Sequence, residues 1–435
     1  MKYITVIGSG PGCEDYLLPA AVKTAQNCDR VVADKRMVAM LEKAGVTSVE
    51  TMESVVQTLS DMEAMEEESR MALFVSGDPA YYSMYRMVKR VYPDMCVDYI
   101  PGISSLQMMA ARAGVTMEDA AILSGHGRAL SISELYFDVR KREAVFVLCD
   151  GLCTPSWIGE KLVEGGVTDV RMWAGSRLTY EDEICDQGSP ESFIGKNYPA
   201  LTVVCIKNEH RNKKEETVLV RDEQFCRNAT PMTREEIRWS VIGKLELKPS
   251  SVLWDIGAGT GSISIEAARL CPKGQVISFE RNPRALEILE ENKERFEADN
   301  MRIISGDALE VLMDQDPKQT DAIPKPTHVF LGGTGGDLEA LLDRIAAYGP
   351  WIQVMISCVT LETTAKAVQS FCRGDRFCDV DIVTIQTEHG RTVGDYHLME
   401  ADHRVTLISG KVNDTRILWP ETLKYIDTEG QDKET

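Results

Sequence analysis

Residues Val252-Leu253-Trp254-Asp255-Ile256-Gly257-Ala258-Gly259-Thr260-Gly261-Ser262 constrain this chain more than any other stretch. An apolar run of strand length meets three glycines at alternate positions, and a helix-like segment, 263–270, follows. Glycine has no Cβ, so the backbone can turn sharply and a ligand can lie against it. The free N–H groups of the following helix then face that ligand. The spacing is Gly-x-Gly-x-Gly, not the Gly-x-Gly-x-x-Gly of a dinucleotide site. A second strand-like run, 275–279, ends in Glu280, placed to hold two ribose hydroxyls. A third, 302–305, runs into Gly306-Asp307-Ala308.

In that order these elements resemble the class I S-adenosylmethionine (SAM) methyltransferases. The resemblance lays Gly257, Ala258, Gly259, Thr260 and Gly261 along the methionine part of the cofactor, with Asp255 just before them. It puts Glu280 on the ribose and Asp307 and Ala308 beside the adenine. Later runs at 327–331, 351–357, 380–386 and 405–408 predict a Rossmann-like, seven-stranded sheet with an antiparallel end. Upstream, Thr233 with Glu236 three residues on reads as a capping box. The resemblance also sets Thr233 beside the cofactor, and both readings can hold. Thr233-Arg234-Glu235-Glu236-Ile237-Arg238, the glycine stretch and Phe330-Leu331-Gly332-Gly333 make residues 230–420 similar to the CbiT-type, decarboxylating precorrin methyltransferases.

The first half has its own punctuation. A strand-like run, 3–7, ends in Gly8-Ser9-Gly10-Pro11-Gly12-Cys13. The dinucleotide spacing fails here too, and Pro11 removes an N–H that a phosphate cradle would use. Run 71–75 ends in Gly77-Asp78-Pro79, and run 97–100 ends in Pro101-Gly102-Ile103-Ser104-Ser105. The residue before proline avoids the helical region, so the chain turns after each run. Two such loops can face one crevice at the carboxyl edge of a sheet. These motifs resemble the tetrapyrrole methylase family over residues 1–207, within it the CbiE-type precorrin methyltransferases of cobalamin synthesis. The resemblance implies an α/β fold of two lobes, about 1–115 and 116–207, with SAM folded in the cleft. It places Gly77, Asp78 and Ser83 on the cofactor loop and Ser104 and Ser105 on the facing loop. Asp78 reads equally well as a turn-stabilising side chain. Gly8, Gly10 and Gly12 are expected to shape the cleft floor.

Composition limits what such a chain can do. With 435 residues it exceeds one core, so two or three domains are expected. Polar residues 208–229 read as an exposed linker, and 421–435 as a flexible tail. A net charge of -20 argues against nucleic acid, whose phosphates need a basic face, and against an anionic membrane. No apolar run approaches the roughly 18 residues of a membrane helix. The N-terminus enters a strand pattern at once, so no leader and a cytoplasmic location are expected. The 12 cysteines form no zinc-type cluster, so no metal is expected and the thiols should be mostly buried.

The two halves together resemble the fused, decarboxylating C(5,15) precorrin methyltransferases. That implies methylation of a precorrin or cobalt-precorrin at carbons 5 and 15, loss of the carbon-12 acetate as carbon dioxide, and a homo-oligomer. A substrate rich in carboxylates calls for arginine forks and a locally basic pocket. Arg234 and Arg238, one helical turn apart, and Arg391 are the candidates. His389 and His397 are candidates for moving a proton near neutral pH. Asp402-His403-Arg404 stands where the resemblance expects Asn-Pro. Three alternatives stay open: a class I methyltransferase acting on tRNA, a dinucleotide-dependent oxidoreductase, and a non-catalytic tetrapyrrole carrier.

Overall fold

The computed structural model describes residues 2–81, 84–125, 130–210, 219–314, 323–333 and 337–414. The chain divides into two compact units, Met1–Lys213 and Lys214–Thr435.

The first unit holds two sheets. Its first lobe runs β1 (Tyr3–Gly8), α1 (Pro19–Ala25), β2 (Arg30–Ala33), α2 (Lys35–Lys43), β3 (Val49–Thr51), α3 (Val55–Ala64), β4 (Arg70–Val75), α4 (Met84–Val91), β5 (Cys96–Ile100) and α5 (Ser105–Ala113). The strands are parallel, in the order β3-β2-β4-β1-β5. Met71, Ala72, Leu73 and Phe74 of β4 are all buried. A strand covered on both faces reads as a continuous apolar run. The second lobe runs β6 (Ala120–Ser124), α6 (Ile132–Lys141), β7 (Ala144–Leu148), α7 (Pro155–Glu164), β8 (Arg171–Ser176), β9 (Ile184–Gly188) and β10 (Thr202–Lys207). Its order is β6-β7-β10-β8-β9, and only the β6–β7 pair is parallel.

The second unit runs α8 (Glu235–Leu245), β11 (Val252–Ile256), α9 (Ser262–Leu270), β12 (Gln275–Glu280), α10 (Pro283–Arg295), β13 (Met301–Ser305), α11 (Ala308–Asp314), β14 (His328–Leu331), α12 (Leu338–Ala346), β15 (Gln353–Cys358), α13 (Leu361–Cys372), β16 (Phe377–Ile385), β17 (Glu388–Val393), β18 (Tyr396–Ala401) and β19 (Val405–Val412). Seven strands form one sheet, in the order β13-β12-β11-β14-β15-β19-β16. It is parallel except at β19, which runs against both β15 and β16. Alternate residues feed two cores. Trp254, Ile256, Ile277 and Phe279 pack on one face, and Leu253, Val276, Phe330 and Met355 on the other. Chain order reverses between β11 and β14, and a crevice opens at the carboxyl ends of strands at such a switch.

Three expectations change, and one element was not foreseen. The capping box at Thr233 is not made: α8 is capped at Arg234 and has no side-chain bond there. Residues 219–225 are not a free linker, because Val220 and Phe225 are buried in the second unit's core, while 227–229 are exposed. Of the twelve free cysteines, five are buried, five half-buried and two exposed. The β17–β18 ribbon, closed by a Gly394-Asp395 turn, escaped the apolar pattern because all its residues are exposed. That dipeptide is a hairpin turn sequence and was the available clue. The 421–435 tail lies outside the described residues. Among the described residues no helix is long and apolar enough to cross a membrane.

Candidate functional site

A cavity of about 850 Å³ opens where β11 to β15 end. Its floor is the glycine loop. Gly257, Gly259 and Gly261 all have left-handed backbone, φ +77°, +58° and +80°. A Cβ at Gly257 would lie 2.8 Å from the Gly333 nitrogen, so two loops meet there with no room for a side chain. Ala258 and Thr260 line the same floor, whereas Gly261 packs toward Leu289 and shapes the turn instead.

Glu280 ends β12 inside the cavity and is buried. Its Oε2 accepts from the Gly259 N–H at 2.8 Å, and its Oε1 from the N–H groups of Arg281 and Asn282, both at 2.9 Å. A carboxylate has about four acceptor sites, so Oε2 keeps one free. Asp255 lies beneath. Its Oδ2 accepts from Ser264 Oγ at 2.5 Å, and Ser264 meets Ser278 at 2.7 Å. Burial pushes the Asp255 carboxyl up to about 7; the Ser264 hydroxyl opposes this and the Glu280 charge adds to it. Asp307 accepts from the Leu309 N–H at 3.0 Å and pairs with Arg281 at 3.3 Å. Ala308 beside it lines the cavity.

Thr233, Arg234, Thr387, Asp402 and His403 also line the cavity. Asp402 Oδ1 meets Arg234 Nη1 at 2.9 Å, and its Oδ2 meets His389 Nε2 and Thr387 Oγ1, each at 2.9 Å. Asp402, His403, Ser357 and Thr387 had no role assigned from sequence. Ser357 was findable, since it lies near the carboxyl end of the parallel strand β15.

Three candidates are corrected. Arg238 is fully buried. It donates to Glu266 (2.7 Å), Asp222 (2.8 Å), the Thr233 carbonyl (2.7 Å) and the Val220 carbonyl (2.6 Å). Those bonds fasten residues 220–222 and leave it facing no ligand. Arg391 and His397 sit on the exposed ribbon, Arg391 facing Glu400 at 3.8 Å, and neither lines the cavity. The expected basic pocket is also absent here. Asp255, Glu280, Asp307, Asp337 and Asp402 outnumber Arg234 and Arg281 among the described lining residues.

In the first unit the loops after β1, β4 and β5 converge. A Cβ at Gly8 would lie 2.5 Å from the Gly77 oxygen and 2.6 Å from the Gly102 nitrogen. Asp78 Oδ1 accepts from the Ala80 N–H at 2.7 Å and its Oδ2 from the Gly102 N–H at 3.1 Å. Its carboxylate is therefore a turn and loop clamp. Ser104 is buried and caps α5, accepting from Gln107 N–H at 3.2 Å while Gln107 Oε1 accepts from the Ser104 N–H at 2.8 Å. Ser105 opens that helix, and Ser83 lies outside the described residues.

Residues 3–189 match the family model of Tetrapyrrole (Corrin/Porphyrin) Methylases, and residues 223–411 that of the Precorrin methyltransferase domain. The cobalt-precorrin-6B C(15)-methyltransferase (decarboxylating) of Salmonella typhimurium is 35% identical over 192 residues, 44% of this chain and 94% of the relative. The chain belongs to the precorrin methyltransferases. This precorrin methyltransferase joins both family domains in one polypeptide. The precorrin-6Y C(5,15)-methyltransferase [decarboxylating] of Sinorhizobium sp is 25% identical over 321 residues, 72% of this chain and 74% of the relative. That span is longer than either unit. The cobalt-precorrin-7 C(5)-methyltransferase of S. typhimurium is 28% identical over 203 residues, 47% of this chain and 98% of the relative. Among solved structures, the precorrin-6y C5,15-methyltransferase of Geobacter metallireducens GS-15 is 31% identical with a TM-score of 0.40, covering 45% of this chain and 99% of that one.

Proposed function

We propose that this fused precorrin methyltransferase acts in the cytoplasm on a precorrin or cobalt-precorrin. Its second unit methylates carbon 15 and releases the carbon-12 acetate as carbon dioxide, and its first methylates carbon 5, both with SAM. The observation that carries the reading is the second unit's cavity. Left-handed glycines open the main chain there, and Glu280 offers an acceptor at the end of the next strand. Those residues fit SAM: Glu280 would take a ribose hydroxyl, Gly257 to Thr260 the methionine part, and Asp307 with Ala308 the adenine. SAM supplies an electrophilic methyl group when bound. The protein's contribution is to hold the acceptor carbon in line and exclude water; effective molarities of about 10⁵ M or more are available from such placement. Protons balance within the second unit's reaction: carbon 15 gives one up as it gains a methyl, and the methylene left by carbon dioxide takes one.

In the first unit, the Gly77 loop and the start of α5 at Ser105 would border the cofactor, with Asp78 and Ser104 holding those loops in shape. The chain is a homo-oligomer in this reading. The ribbon supports it, since Val393, Tyr396 and Leu398 stand exposed on one of its faces. A monomeric mass by light scattering would remove that part. The decisive experiment is mass spectrometry of precorrin-6B, with and without cobalt, after incubation with the full chain and SAM. Gain of two methyl groups with loss of one carbon dioxide is expected. An unchanged macrocycle, or methylation of tRNA instead, would refute the reading.

A further inference from the structure

Among the described residues Arg234 is held at one corner only. It caps α8 on the cavity wall, and its side chain stays 58% exposed although Nη1 rests on Asp402. A guanidinium carries five N–H donors in a rigid fork. The Asp402 contact fixes that fork while leaving its other donors free to face an anion. Asp402 is itself anchored: only 16% exposed, it receives Thr387 Oγ1 and His389 Nε2, and its own N–H donates to the Thr387 carbonyl at 2.9 Å. Glu236 stands 3.9 Å from the same histidine nitrogen. The other lining guanidinium, Arg281, pairs with Asp307 on the Glu280 side. So the two lining guanidiniums are held by different carboxylates, Arg281 by Asp307 and Arg234 by Asp402.

We propose that Arg234 recognises a carboxylate of the corrin substrate, and that Asp402, His389 and Thr387 are positioning residues that aim it. This rests on the decarboxylating reading above. The carboxylate it grips is one that the product retains. When carbon dioxide leaves, the electron pair of the breaking C–C bond moves into the macrocycle and a proton then adds at the methylene. A guanidinium on the departing carboxylate would stabilise the ground state and slow that step. On a retained carboxylate it orients the ring at no such cost.

The test uses the full chain with precorrin-6B at saturating SAM, following carbon-15 methylation and carbon dioxide release. Arg234→Ala should raise KM for the corrinoid roughly ten- to a hundredfold, the range for a hydrogen bond to a charged group, with KM for SAM unchanged. Arg234→Lys should restore part of the loss. Asp402→Ala should raise the same KM less, and should add nothing in the Arg234→Ala background because it acts through that side chain. Arg234→Gln, checked by thermal melting, serves if the alanine variant folds poorly. An unchanged corrinoid KM in either folded Arg234 variant, or effects of Asp402→Ala that multiply with Arg234→Ala, overturns the proposal. So does faster carbon dioxide release in Arg234→Ala, which would place the grip on the departing group. An inactive wild type sinks the functional reading and this inference together, whereas an active wild type with unaltered variants sinks this inference alone.

Discussion

Glu280 serves the fold and the ligand with one carboxylate. Three backbone N–H groups hold it and one acceptor site remains, so Glu280→Ala should abolish SAM binding in the second unit. Calorimetry on the full chain should show stoichiometry falling from two to one; a value still at two refutes the assignment. Asp255 gives a pH signature. Its folded pKa is about 7 against 3.8 unfolded, so between those values the native state keeps a proton that the unfolded chain releases. Stability from this group is thus greatest at low pH and declines as pH rises through that window, by at most about 1.4 kcal/mol per pH unit. Urea midpoints from pH 4 to 8 should show the decline in wild type and a flatter curve in Asp255→Asn. Arg238→Ala should cost about 3–5 kcal/mol, because Glu266 is left buried without its cation. A loss under 1 kcal/mol in the same assay would refute that account. Glu280 and the glycines were legible because strand, loop and acid are contiguous. Arg238 was not, since Glu266 is 28 residues away and Asp222 is 16. One turn from Arg234, it looks like the same kind of residue until the packing is seen.

Among elements, the parallel strands were legible from apolar runs such as 71–75 and 252–256, the latter broken only by Asp255. The ribbon was not, because nothing in it is buried. That omission hid how Thr387 and Asp402, which flank the ribbon, come to line the cavity. Arg234 precedes α8, His389 lies on β17 and Asp402 follows β18, so only the ribbon's return brings the three together. The segment 219–225 taught a similar lesson. It reads as polar, yet Val220 and Phe225 enter the core and Asp222 holds Arg238. Two apolar residues among charges suffice to strap a segment down when a buried arginine binds the carbonyl of one of them, Val220, and a carboxylate between them, Asp222.

For the whole molecule, the strap decides where the chain can be divided. A break within 211–218 should yield two soluble pieces, each binding SAM. A break after residue 226 should leave the second piece destabilised, because it lacks Val220 and Asp222. If both cuts give equally stable second pieces by thermal melting, the strap is unimportant.

In the first unit, Gly8, Gly77 and Gly102 bring three strand ends into direct backbone contact. With no side chain as a cushion, the ends of β1, β4 and β5 cannot shift one at a time. The amide of Ser9 donates to Val75, that of Gly77 to Gly10, and that of Gly102 to Asp78. These amides should open to solvent in step, and deuterium uptake should report one shared rate that slows for all three when SAM binds. Three separate rates would mean the ends move independently. A ligand pressing on one loop thus shifts the edge as a single block, so occupancy can be felt at every loop on that rim.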